Sequence, residues 1–600
     1  MEYDVIVAGG GHAGIEACLS SSRMGMKTLL ITGNLDTICY MSCNPSIGGT
    51  GKGQLVKEID ALGGQMGIAI DTTGIHFKML NTGKGKAVWS PRAQADKKLY
   101  SRYMKSVVES QSNLDILQGW VEKIIVENNK IKRIKTDLDI ELKTKSLILC
   151  PGTFLNGIIH IGGKKFPAGR LGEFPSIKLA EEIKRLGVQT GRLKTGTPPR
   201  INKNSIDFSR IQIQKSDEKP TPFSFKTEKI QRPIIDCYIT WTNKETHRII
   251  QDNLFRAPLY TGQIKSVGPR YCPSIEVKIT RFADKDSHQI FLEPEGPDTD
   301  EVYVNGFATS IPVDVQEKAI RTIQGLEKVK IMKYGYAIEY DFIYPWQIKP
   351  SLEYKQIEGL FFAGQINGTS GYEEAASQGL IAGINASLKI KEQQPFILSR
   401  SQAYIGVLID DLITKELTEP YRIFTSRVEY RLILRQDNAA FRLMEFGRKF
   451  GLIDEKIYIK MEQQKQAIKE ISQQIKNKYL PVEEKISYAD YLKRPDKKFI
   501  DIEKLQPDYS SLPERVKEEI EIEIKYEGYI KRELSMIEKS KTVEDIKLPD
   551  NFNYSQIKTL STEAKEKLQK YQPVSVSQAK KIEGISPSDI TALLIYLKVL

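Results

Sequence analysis

The chain begins with short apolar runs separated by glycine turns. Tyr3 to Ala8 is apolar and rich in β-branched residues, and Gly9-x-Gly11-x-x-Gly14 follows it directly. A helix-like stretch opens at Gly14, and Lys27 to Ile31 is a second apolar run. This order predicts a strand, a tight turn, a helix and a parallel second strand, as in dinucleotide-binding βαβ units.

The glycine turn predicts how a dinucleotide would be held. Gly9 allows the tight turn, Gly11 lets backbone N–H groups approach a pyrophosphate, and Gly14 lets the helix lie close to the strand. The acidic residue that usually takes the ribose hydroxyls of NAD is absent, and Thr32 and Asn34 stand there instead. This difference weakens the assignment of the dinucleotide as NAD. The alternative to dinucleotide binding is a glycine-rich turn without a ligand.

Later apolar runs predict more strands of the same sheet. Val121 to Val126 and Ile131 to Ile134 flank a polar turn and predict a hairpin. Leu147 to Gly152 and Gly359 to Gln365 each predict a buried strand that ends in a glycine turn, and a helical run follows from Tyr372 to Leu388. Strands so widely separated predict one doubly wound sheet interrupted by insertions, as in flavin-binding domains of the glutathione-reductase type.

The predicted fold class is α/β. It comprises a doubly wound FAD-binding domain of the glutathione-reductase-like Rossmann type, an inserted α+β domain and a C-terminal all-helical domain. We predict residues 1–202 and 346–400 for the first domain, with a β-rich hairpin segment near 113–146. The insertion covers 203–345, which is rich in proline and aromatic residues, and the charged helical domain covers 401–600.

Composition limits the class of protein. The 600 residues are 40% hydrophobic and 27% charged, which is ordinary for a globular protein of several domains. No apolar run approaches the roughly 18 residues of a membrane span, and Met1 enters a core strand with no room for a leader peptide. Six cysteines in so long a chain do not form a disulfide framework. We therefore expect a cytoplasmic protein with no membrane segment and no metal centre.

Positive charge is clustered along the chain. The net charge is +12, and the windows 76–105 and 161–210 together carry +14, so the rest of the chain nets −2. Such clustering is typical of nucleic-acid binding, although a solvated lysine-rich surface gives the same pattern. Residues 421–435 interleave four arginines with two tyrosines and a phenylalanine, which predicts an RNA surface or, alternatively, a helix with salt-bridged flanks.

The loop from Thr37 to Gly53 carries candidate chemistry. Gly51-Lys52 resembles the end of a phosphate-binding P-loop, but Ser46 replaces the leading glycine and Gly53 the magnesium-binding Ser or Thr. An NTPase loop is therefore excluded. Cys39 and Cys43 are one residue too close for the cysteine pair of flavin disulfide reductases, and the segment is a loop.

Two cysteines are candidates for thiol chemistry. Cys43 is expected ahead of a helix N-terminus, where the helix dipole and Lys52 would lower the pKa of its thiol. Cys272 lies between an aromatic residue and a proline, with Arg270 and Lys278 close by in sequence. This rigid electropositive loop predicts a thiolate, and the alternative for each cysteine is a packed small residue.

These residues carry a resemblance to a known family. The strings are GGGHAGIEA, MSCNPSIGGTGKG, GRLKTGTPPRI, GPRYCPSIE, HQIFLEPEG, GYAIEYDF, FFAGQINGTSGYEEAASQG, EPYRIFTSRVEYRL and KYEGYIKRE. Together they resemble the MnmG (GidA) family, the tRNA uridine 5-carboxymethylaminomethyl modification enzymes, from residue 3 to about 597.

The resemblance implies a function. Members bind FAD and act with the GTPase MnmE on carbon 5 of the wobble uridine of certain tRNAs. Methylenetetrahydrofolate supplies the one-carbon unit, glycine or ammonium the amine, and NADH the reducing equivalents. It also implies a homodimer, an α2β2 heterotetramer with MnmE, an NADH and substrate role for the insertion, and GTPase and tRNA binding by the helical domain.

The resemblance also implies site residues. Cys272 is the expected nucleophile and Cys43 its proton-transfer partner, although the roles could be exchanged. The residues expected at FAD are Gly9, Gly10, Gly11, His12, Ala13, Gly14, Val121, Ser176 and Gln365. Those expected at NADH are Gly268, Pro269, Arg270, Tyr271, Pro273, Ser274, Ile275, Glu276, Lys278, Arg281 and Phe282. Our own candidates for tRNA phosphate contact, chosen on charge, are Lys84, Lys86, Arg92, Arg192, Lys194, Arg427, Arg431 and Arg435.

Two other functions are considered. A folate- and FAD-dependent tRNA uracil methyltransferase would share the FAD domain, but the roughly 200 residues after Ser401 argue against it, since such relatives lack that helical region. A flavin-bearing RNA-binding or scaffold protein without turnover is the third. It predicts that Cys272→Ser leaves function intact, whereas either enzyme predicts loss.

Overall fold

A seven-stranded sheet forms the centre of the computed structural model, which describes residues 1–481, 486–544, 546–549 and 552–599. Five of its strands are parallel, and the strand Glu141–Leu149 continues into an antiparallel hairpin. The parallel strands, in spatial order, are Leu114–Gln118, Thr28–Thr32, Glu2–Ala8, Glu141–Leu149 and Leu360–Phe362, and the hairpin strands are Lys130–Thr136 and Val121–Glu127. The predicted doubly wound sheet and its hairpin are confirmed.

Helices cover this sheet because its central strands are apolar on both faces. The helix His12–Arg23 packs closely on Tyr372–Ile390. A Cβ atom at Gly379 would lie 1.9 Å from the carbonyl oxygen of Ala13, so only glycine allows this contact. The other helices of this part are Lys52–Ala61, Met66–Thr73, Lys97–Glu109 and Ile177–Arg185.

The insertion has its own sheet and its own apolar core. Six antiparallel strands are covered by three helices, and the core extends from Ile201 to Val329. The strands, in spatial order, are Gln212–Gln214, Cys237–Trp241, Gln289–Pro294, Glu301–Asn305, Arg200–Asn202 and Ile331–Lys333. The helices are Lys244–Gln251, Ile275–Arg281 and Val313–Ile320. The α+β character predicted for the insertion is therefore observed.

Two smaller sheets complete the β structure. One has four strands and contains the fully buried strand Tyr336–Ile343. Its strands are Lys164–Pro167, Ile158–Ile161, Tyr336–Ile343 and Thr190–Thr197. The other has three strands, Ser46–Gly48, Ser90–Ala95 and Gly74–Leu80. We call the seven-stranded sheet and its helices the first unit. Thr190–Thr197 lies just before the insertion and Tyr336–Ile343 just after the core of the insertion, so the pairing of these two strands connects the insertion to the first unit.

Helices dominate the part of the chain after residue 401. They are Tyr404–Thr414, Ala439–Lys449, Glu455–Asn477, Tyr488–Leu492, Phe499–Leu505, Glu514–Lys525, Glu527–Glu544, Thr562–Tyr571, Val576–Lys581 and Pro587–Val599. The alternative prediction of a salt-bridged helix for residues 421–435 is wrong. This segment is an irregular loop with one 3-10 turn, Thr425–Arg427. Within the described residues, none of the helices is both long enough and apolar enough to cross a bilayer.

The apolar core of the first unit extends past the boundary predicted at 401. Tyr404, Ile405 and Leu408 are buried in the same cluster as the first strand. The Glu58 carboxylate accepts hydrogen bonds from the backbone N–H groups of Tyr404 and Ile405, at 2.9 and 3.0 Å. The helix Tyr404–Thr414 is therefore packed as part of the nucleotide-binding unit.

Candidate functional site

A cavity of about 410 Å³ opens where the parallel strands end. Its walls come from the turns that follow all five of these strands, which is where open α/β sheets bind ligands. Eight of the nine residues expected at FAD line it, namely Gly9, Gly10, Gly11, His12, Ala13, Val121, Ser176 and Gln365. The fold therefore brings these eight candidate cofactor residues together around one cavity.

The ninth residue, Gly14, acts through helix packing. A Cβ atom there would lie 1.8 Å from the carbonyl oxygen of Gly9, so a side chain would push the helix away from the turn. A Cβ atom at Gly11 would meet open space, which leaves its backbone accessible from the cavity. Gly9 has φ +115°, a conformation that favours glycine. These geometries match the roles predicted for the three glycines.

The cavity residues fit a dinucleotide with a flat aromatic end. The Arg170 guanidinium lies at the wall, where its Nε is 3.3 Å from the Glu173 carboxylate and its Nη1 is buried without a hydrogen-bond partner among the residues described. Together with the backbone of the glycine turn it suits a pyrophosphate. The rings of Tyr40, Trp120, Phe154 and Tyr372 supply apolar walls for an aromatic group.

Thr32 and Asn34, which replace the expected acid, both line the cavity. The Thr32 hydroxyl accepts a hydrogen bond from the backbone N–H of Gly10 at 3.2 Å, and the Asn34 side chain caps the following 3-10 turn. Neither residue brings a carboxylate to the ribose position. The structure therefore shows the same difference from the NAD-binding pattern as the sequence does.

Cys43 lies where the first unit, the four-stranded sheet and the insertion meet. Its backbone N–H donates to the Tyr372 hydroxyl at 2.9 Å, and Tyr372 lines the cavity. Its Sγ atom lies 3.3 Å from the Tyr303 hydroxyl of the insertion and 3.6 Å from the carbonyl oxygen of Gly196. Lys52 is 2.6 Å from Glu373, so its charge is already paired with a carboxylate.

Cys272 lies on a loop that rests on the C-terminal part of the chain. The ring of Tyr271 meets that of Phe424 edge-on at 4.4 Å, and Nε of Arg270 lies 3.6 Å from Glu419. The Cys272 side chain is solvent-exposed, whereas Cys18, Cys39, Cys150 and Cys237 are buried. Cys272 is thus the cysteine most open to a substrate.

The electrostatic surroundings of Cys272 differ from the prediction. Surrounding protein atoms raise the pKa of its thiol, and the neighbouring Cys43 raises it further. Arg422, Lys278 and Lys194 lower that pKa, but the net direction is upward. The predicted electropositive surroundings are present, while the prediction that the loop by itself favours a thiolate is wrong. Cys43 is thus close enough to Cys272 to act on the pKa of its thiol, and a shared site for the two thiols stays a prediction.

The segment expected at NADH divides into accessible and buried residues. Arg270, Arg281 and Phe282 are exposed, and Gly268, Pro269, Tyr271, Pro273 and Lys278 are half-buried. Ser274, Ile275 and Glu276 are buried, with Ile275 inside the core of the insertion. The Glu276 carboxylate is held by Thr309 and Ser310. These three side chains lie away from the surface, and their contact with NADH stays a prediction.

The cations chosen for tRNA also divide. Lys84 and Arg431 are exposed, whereas Lys86 lies over the Trp89 ring at 3.7 Å and Arg427 over the Tyr421 ring at 4.7 Å. All four stay candidates for phosphate contact.

The other four tRNA candidates are paired or buried. Arg92 pairs with Glu293 at 2.6 Å, and Arg192 pairs with Asp341. Lys194 is 6% exposed and Arg435 is 2% exposed, with Arg435 paired to Asp437 and Glu519. The structure corrects the choice of Lys194 and Arg435 as surface contacts, because both side chains are buried.

Charge counting missed several residues that the structure brings to the thiols. Tyr303 and Tyr372 contact Cys43, and the Arg200 guanidinium donates to the carbonyl oxygen of Ser42 at 2.7 Å. Arg422 acts electrostatically on Cys272 and on the buried Glu374. Tyr372, Arg200 and Arg422 lie in strings quoted for the resemblance, which were the available signal, and Tyr303 lies outside them.

Sheet, glycine turn and cavity together define a dinucleotide-binding fold of the glutathione-reductase type with an inserted domain. A family model described as glucose inhibited division protein A matches residues 4–394. Two models described as the C-terminal helical domain and C-terminal helical bundle of the tRNA modifying enzyme MnmG/GidA match 455–534 and 536–600. The chain belongs to the MnmG/GidA family.

Similar proteins cover the whole chain. The tRNA uridine 5-carboxymethylaminomethyl modification enzyme MnmG of Thermodesulfovibrio yellowstonii is 53% identical over 99% of this chain and 98% of its own. That of Caldicellulosiruptor saccharolyticus is 52% identical over 100% and 98%. The structure of Aquifex aeolicus GidA in the form I crystal has a TM-score of 0.93 and 51% identity, covering 100% of both chains. The resemblance read from the sequence is confirmed.

Proposed function

We propose that this protein is an FAD-dependent enzyme that adds a (carboxymethyl)aminomethyl group to carbon 5 of the wobble uridine of certain tRNAs. In this proposal it acts with the GTPase MnmE, takes a one-carbon unit from methylenetetrahydrofolate and an amine from glycine or ammonium, and uses NADH as reductant. The observation that supports it best is the link between Cys43 and the dinucleotide cavity, since the Cys43 backbone N–H donates at 2.9 Å to the hydroxyl of Tyr372, which lines that cavity.

Thiol chemistry explains why this pair suits a uridine. Carbon 5 of uracil is a poor nucleophile until a group adds to carbon 6. The Cys272 thiolate forms the bond to carbon 6, and the electrons of the 5,6 double bond move onto the ring carbonyl to give an enolate. Carbon 5 then attacks the one-carbon unit, which already carries the amine, and the bond from that carbon to its carrier breaks with its electron pair leaving on the carrier. A base removes the proton of carbon 5, and the enolate expels the thiolate to restore the double bond.

Cys43 is placed to handle that proton. Its Sγ is 3.3 Å from the buried Tyr303 hydroxyl, and burial raises the pKa of this phenol, so the tyrosine stays neutral and keeps its proton near Cys43. The exchanged assignment, with Cys43 as nucleophile, makes Cys272 the acid and base. Because Cys272 is the exposed thiol, we assign the nucleophile to it.

The cavity would hold FAD through residues already described. The glycine turn and Arg170 would take the pyrophosphate, and Val121, Ser176 and Gln365 would line the rest. When bound, the flavin supplies redox chemistry and carries the one-carbon unit as an electrophile. Tyr372 lies between this cavity and the Cys43 backbone, so it orients the thiol loop relative to the cofactor.

Macromolecular partners complete the proposal. Exposed or half-exposed cations, Lys84, Lys86, Arg427 and Arg431, would meet tRNA phosphates. The helices after residue 414 would bind the GTPase and approach the tRNA, within an α2β2 assembly built on a homodimer. Free thiols at all six cysteines suit a reducing cytoplasm.

Nucleoside mass spectrometry tests this function. The protein, its GTPase partner, GTP, FAD, NADH, methylenetetrahydrofolate and either amine are incubated with tRNA, alongside Cys43→Ser and Cys272→Ser. We expect an aminomethyl-type adduct on the wobble uridine that both substitutions abolish. Cys18→Ser, at a buried cysteine whose thiol donates to the Ile15 carbonyl oxygen within its own helix, is the matched control and should retain product.

Two other outcomes would change the assigned function. Methylated uridine would favour the folate- and FAD-dependent tRNA uracil methyltransferase. Binding of tRNA with no product, and cell function that survives Cys272→Ser, would favour a flavin-bearing RNA-binding protein without turnover.

A further inference from the structure

A buried arginine holds the loop of Cys43 against the insertion. The Nη2 of Arg200 donates to the carbonyl oxygen of Ser42, directly before Cys43, at 2.7 Å. Its Nε donates to Glu295 at 3.0 Å and its Nη1 to the Thr197 hydroxyl at 2.6 Å. Because all three nitrogens of this guanidinium are bonded, its position is fixed. The main chain at Cys43 is therefore fixed relative to the insertion.

The same guanidinium holds the ring of Tyr303. It lies 4.8 Å from the ring centroid, and Tyr303 is directly opposite Arg200 on the neighbouring antiparallel strand. Tyr303 is 3% exposed. Among the described residues, its hydroxyl forms a single hydrogen bond, to Sγ of Cys43 at 3.3 Å. One arginine thus sets the position of both the thiol loop and the phenol that faces it.

Cys43 has a partner for each of its protonation states. A thiol needs a hydrogen-bond acceptor, and the carbonyl oxygen of Gly196 lies 3.6 Å from Sγ. A thiolate needs a donor, and the Tyr303 hydroxyl supplies one. Burial raises the pKa of this phenol, so it keeps the proton that it would donate. Cys43 can therefore gain or lose a proton without losing its hydrogen bonding.

Cys272 lacks such partners. Its side chain is exposed, and within the described part of the chain its sulfur forms no hydrogen bond. A nucleophile must be open to its substrate, whereas an acid or base must stabilise two protonation states. The two thiols therefore differ in the property that separates these roles.

We propose that Tyr303, braced by Arg200, is the positioning residue that makes Cys43 the base for the proton of carbon 5. This inference rests on the function proposed above. Once the one-carbon unit is attached, the bond between carbon 5 and hydrogen breaks, and its electron pair forms the enolate with the adjacent ring carbonyl. The proton passes to the Cys43 thiolate, to which the Tyr303 hydroxyl donates. The Gly196 carbonyl oxygen then accepts a hydrogen bond from the new thiol.

Other groups around Cys43 do not replace this donor. The Tyr372 hydroxyl accepts a hydrogen bond from the Cys43 backbone N–H, so it bonds to the main chain and not to the sulfur. Arg200 likewise donates to the main chain. Tyr336 and Cys272 interact with Cys43 electrostatically, without a hydrogen bond. Of the residues that the structure describes, Tyr303 alone brings a side-chain donor to this sulfur.

Alkylation of Cys43 tests the donor. In full-length Cys272→Ser the other four cysteines are buried, so iodoacetamide reports on Cys43. Adding Tyr303→Phe removes one oxygen atom, and bound flavin and the melting temperature check folding. Loss of a hydrogen bond to the thiolate predicts alkylation slower by about ten- to a hundredfold at neutral pH, with the two rates converging as pH rises. Tyr238→Phe, on the opposite face of the same sheet, should leave the rate unchanged.

Deuterium tests the proton transfer itself. When proton removal is slowed in Tyr303→Phe, tRNA with deuterium at carbon 5 of the wobble uridine should react more slowly than ordinary tRNA. Alkylation of Cys272, measured in Cys43→Ser, should not respond to Tyr303→Phe. Alkylation of Cys43 within a factor of two of its parent, an equal slowing at Cys272, or equal rates for the two tRNAs in Tyr303→Phe would each overturn the inference. Absence of product in the wild type would instead reject the proposed function.

Discussion

Replacing Arg435 tests whether its buried ion pairs stabilise the C-terminal part of the chain. Its guanidinium is 2% exposed and donates to the carbonyl oxygen of Leu432 at 2.8 Å, to Asp437 at 3.1 Å and to Glu519. These contacts join the irregular segment 421–435 to the helix Glu514–Lys525. Replacing Arg435 with Met keeps much of the volume but leaves the Asp437 carboxylate buried without its cation.

The size of the loss follows from that arrangement. Removing one partner of a buried ion pair costs about 3–5 kcal/mol, since the remaining charge is uncompensated. At about 1.4 kcal/mol per tenfold change, local opening of the helix Glu514–Lys525 should become about 150- to 5,000-fold more frequent. Hydrogen exchange of this helix, followed by mass spectrometry, measures that factor.

Matched variants make the test specific. Arg431→Met, an exposed arginine of the same segment, should change stability by less than about 0.5 kcal/mol. Burial and Asp437 raise the pKa of Glu519 to about 8, so its carboxyl holds a proton at neutral pH and Glu519→Gln should retain most of the protection. Because the folded pKa lies above the unfolded value, the stabilisation that this proton gives is lost as pH rises through about 8. Exchange in Arg435→Met within a factor of two of wild type would refute the argument.

Three further predictions concern the cofactor turn, a buried histidine and the tRNA surface. Gly14→Val should abolish bound flavin, measured by absorbance, because its Cβ would lie 1.8 Å from the Gly9 carbonyl oxygen; Gly528→Ala, which meets open space, should retain it. Burial and Lys52 lower the pKa of His12 from 6.5 to about 3, so stability is lost as pH falls below 6.5, by about 1 kcal/mol between pH 6.5 and 5.5. The melting-temperature advantage of wild type over His12→Gln should therefore shrink between pH 7 and pH 5, and a constant difference would contradict this. Arg431→Ala should reduce the salt dependence of tRNA binding by about one unit of slope, and an unchanged slope would remove Arg431 from the interface.

The nucleotide-binding sheet was predictable because its signals are local. The apolar run before Gly9 and the glycines after it fix strand, turn and helix within about twenty residues. The strand Leu360–Phe362 was found for the same reason, since a glycine follows it closely. Such patterns depend on backbone conformation and alternation, which a sequence displays directly.

The fate of charged side chains was not predictable in the same way. Lys194 and Arg435 look like surface cations in the sequence, and only the folded chain shows the strands and helices that bury them. The pKa of Cys272 illustrates the same limit, since it is raised by the surrounding protein and by Cys43, 229 positions earlier. The packing of the helix Tyr404–Thr414 on the first core was likewise hidden, because it depends on hydrogen bonds to Glu58, far away in sequence.

That cap has a consequence for how the protein is made on the ribosome. The dinucleotide turn emerges first, but its sheet lacks the strand Leu360–Phe362 and its core lacks residues up to Leu452 until three-quarters of the chain has been synthesised. At about 5–20 residues per second this takes roughly 20 to 90 s. During that time the apolar strands of the first unit are exposed and incomplete. Folding of the first unit must therefore wait for a distant part of the chain, and nascent chains of this protein should depend on chaperones more than their N-terminal order of elements suggests.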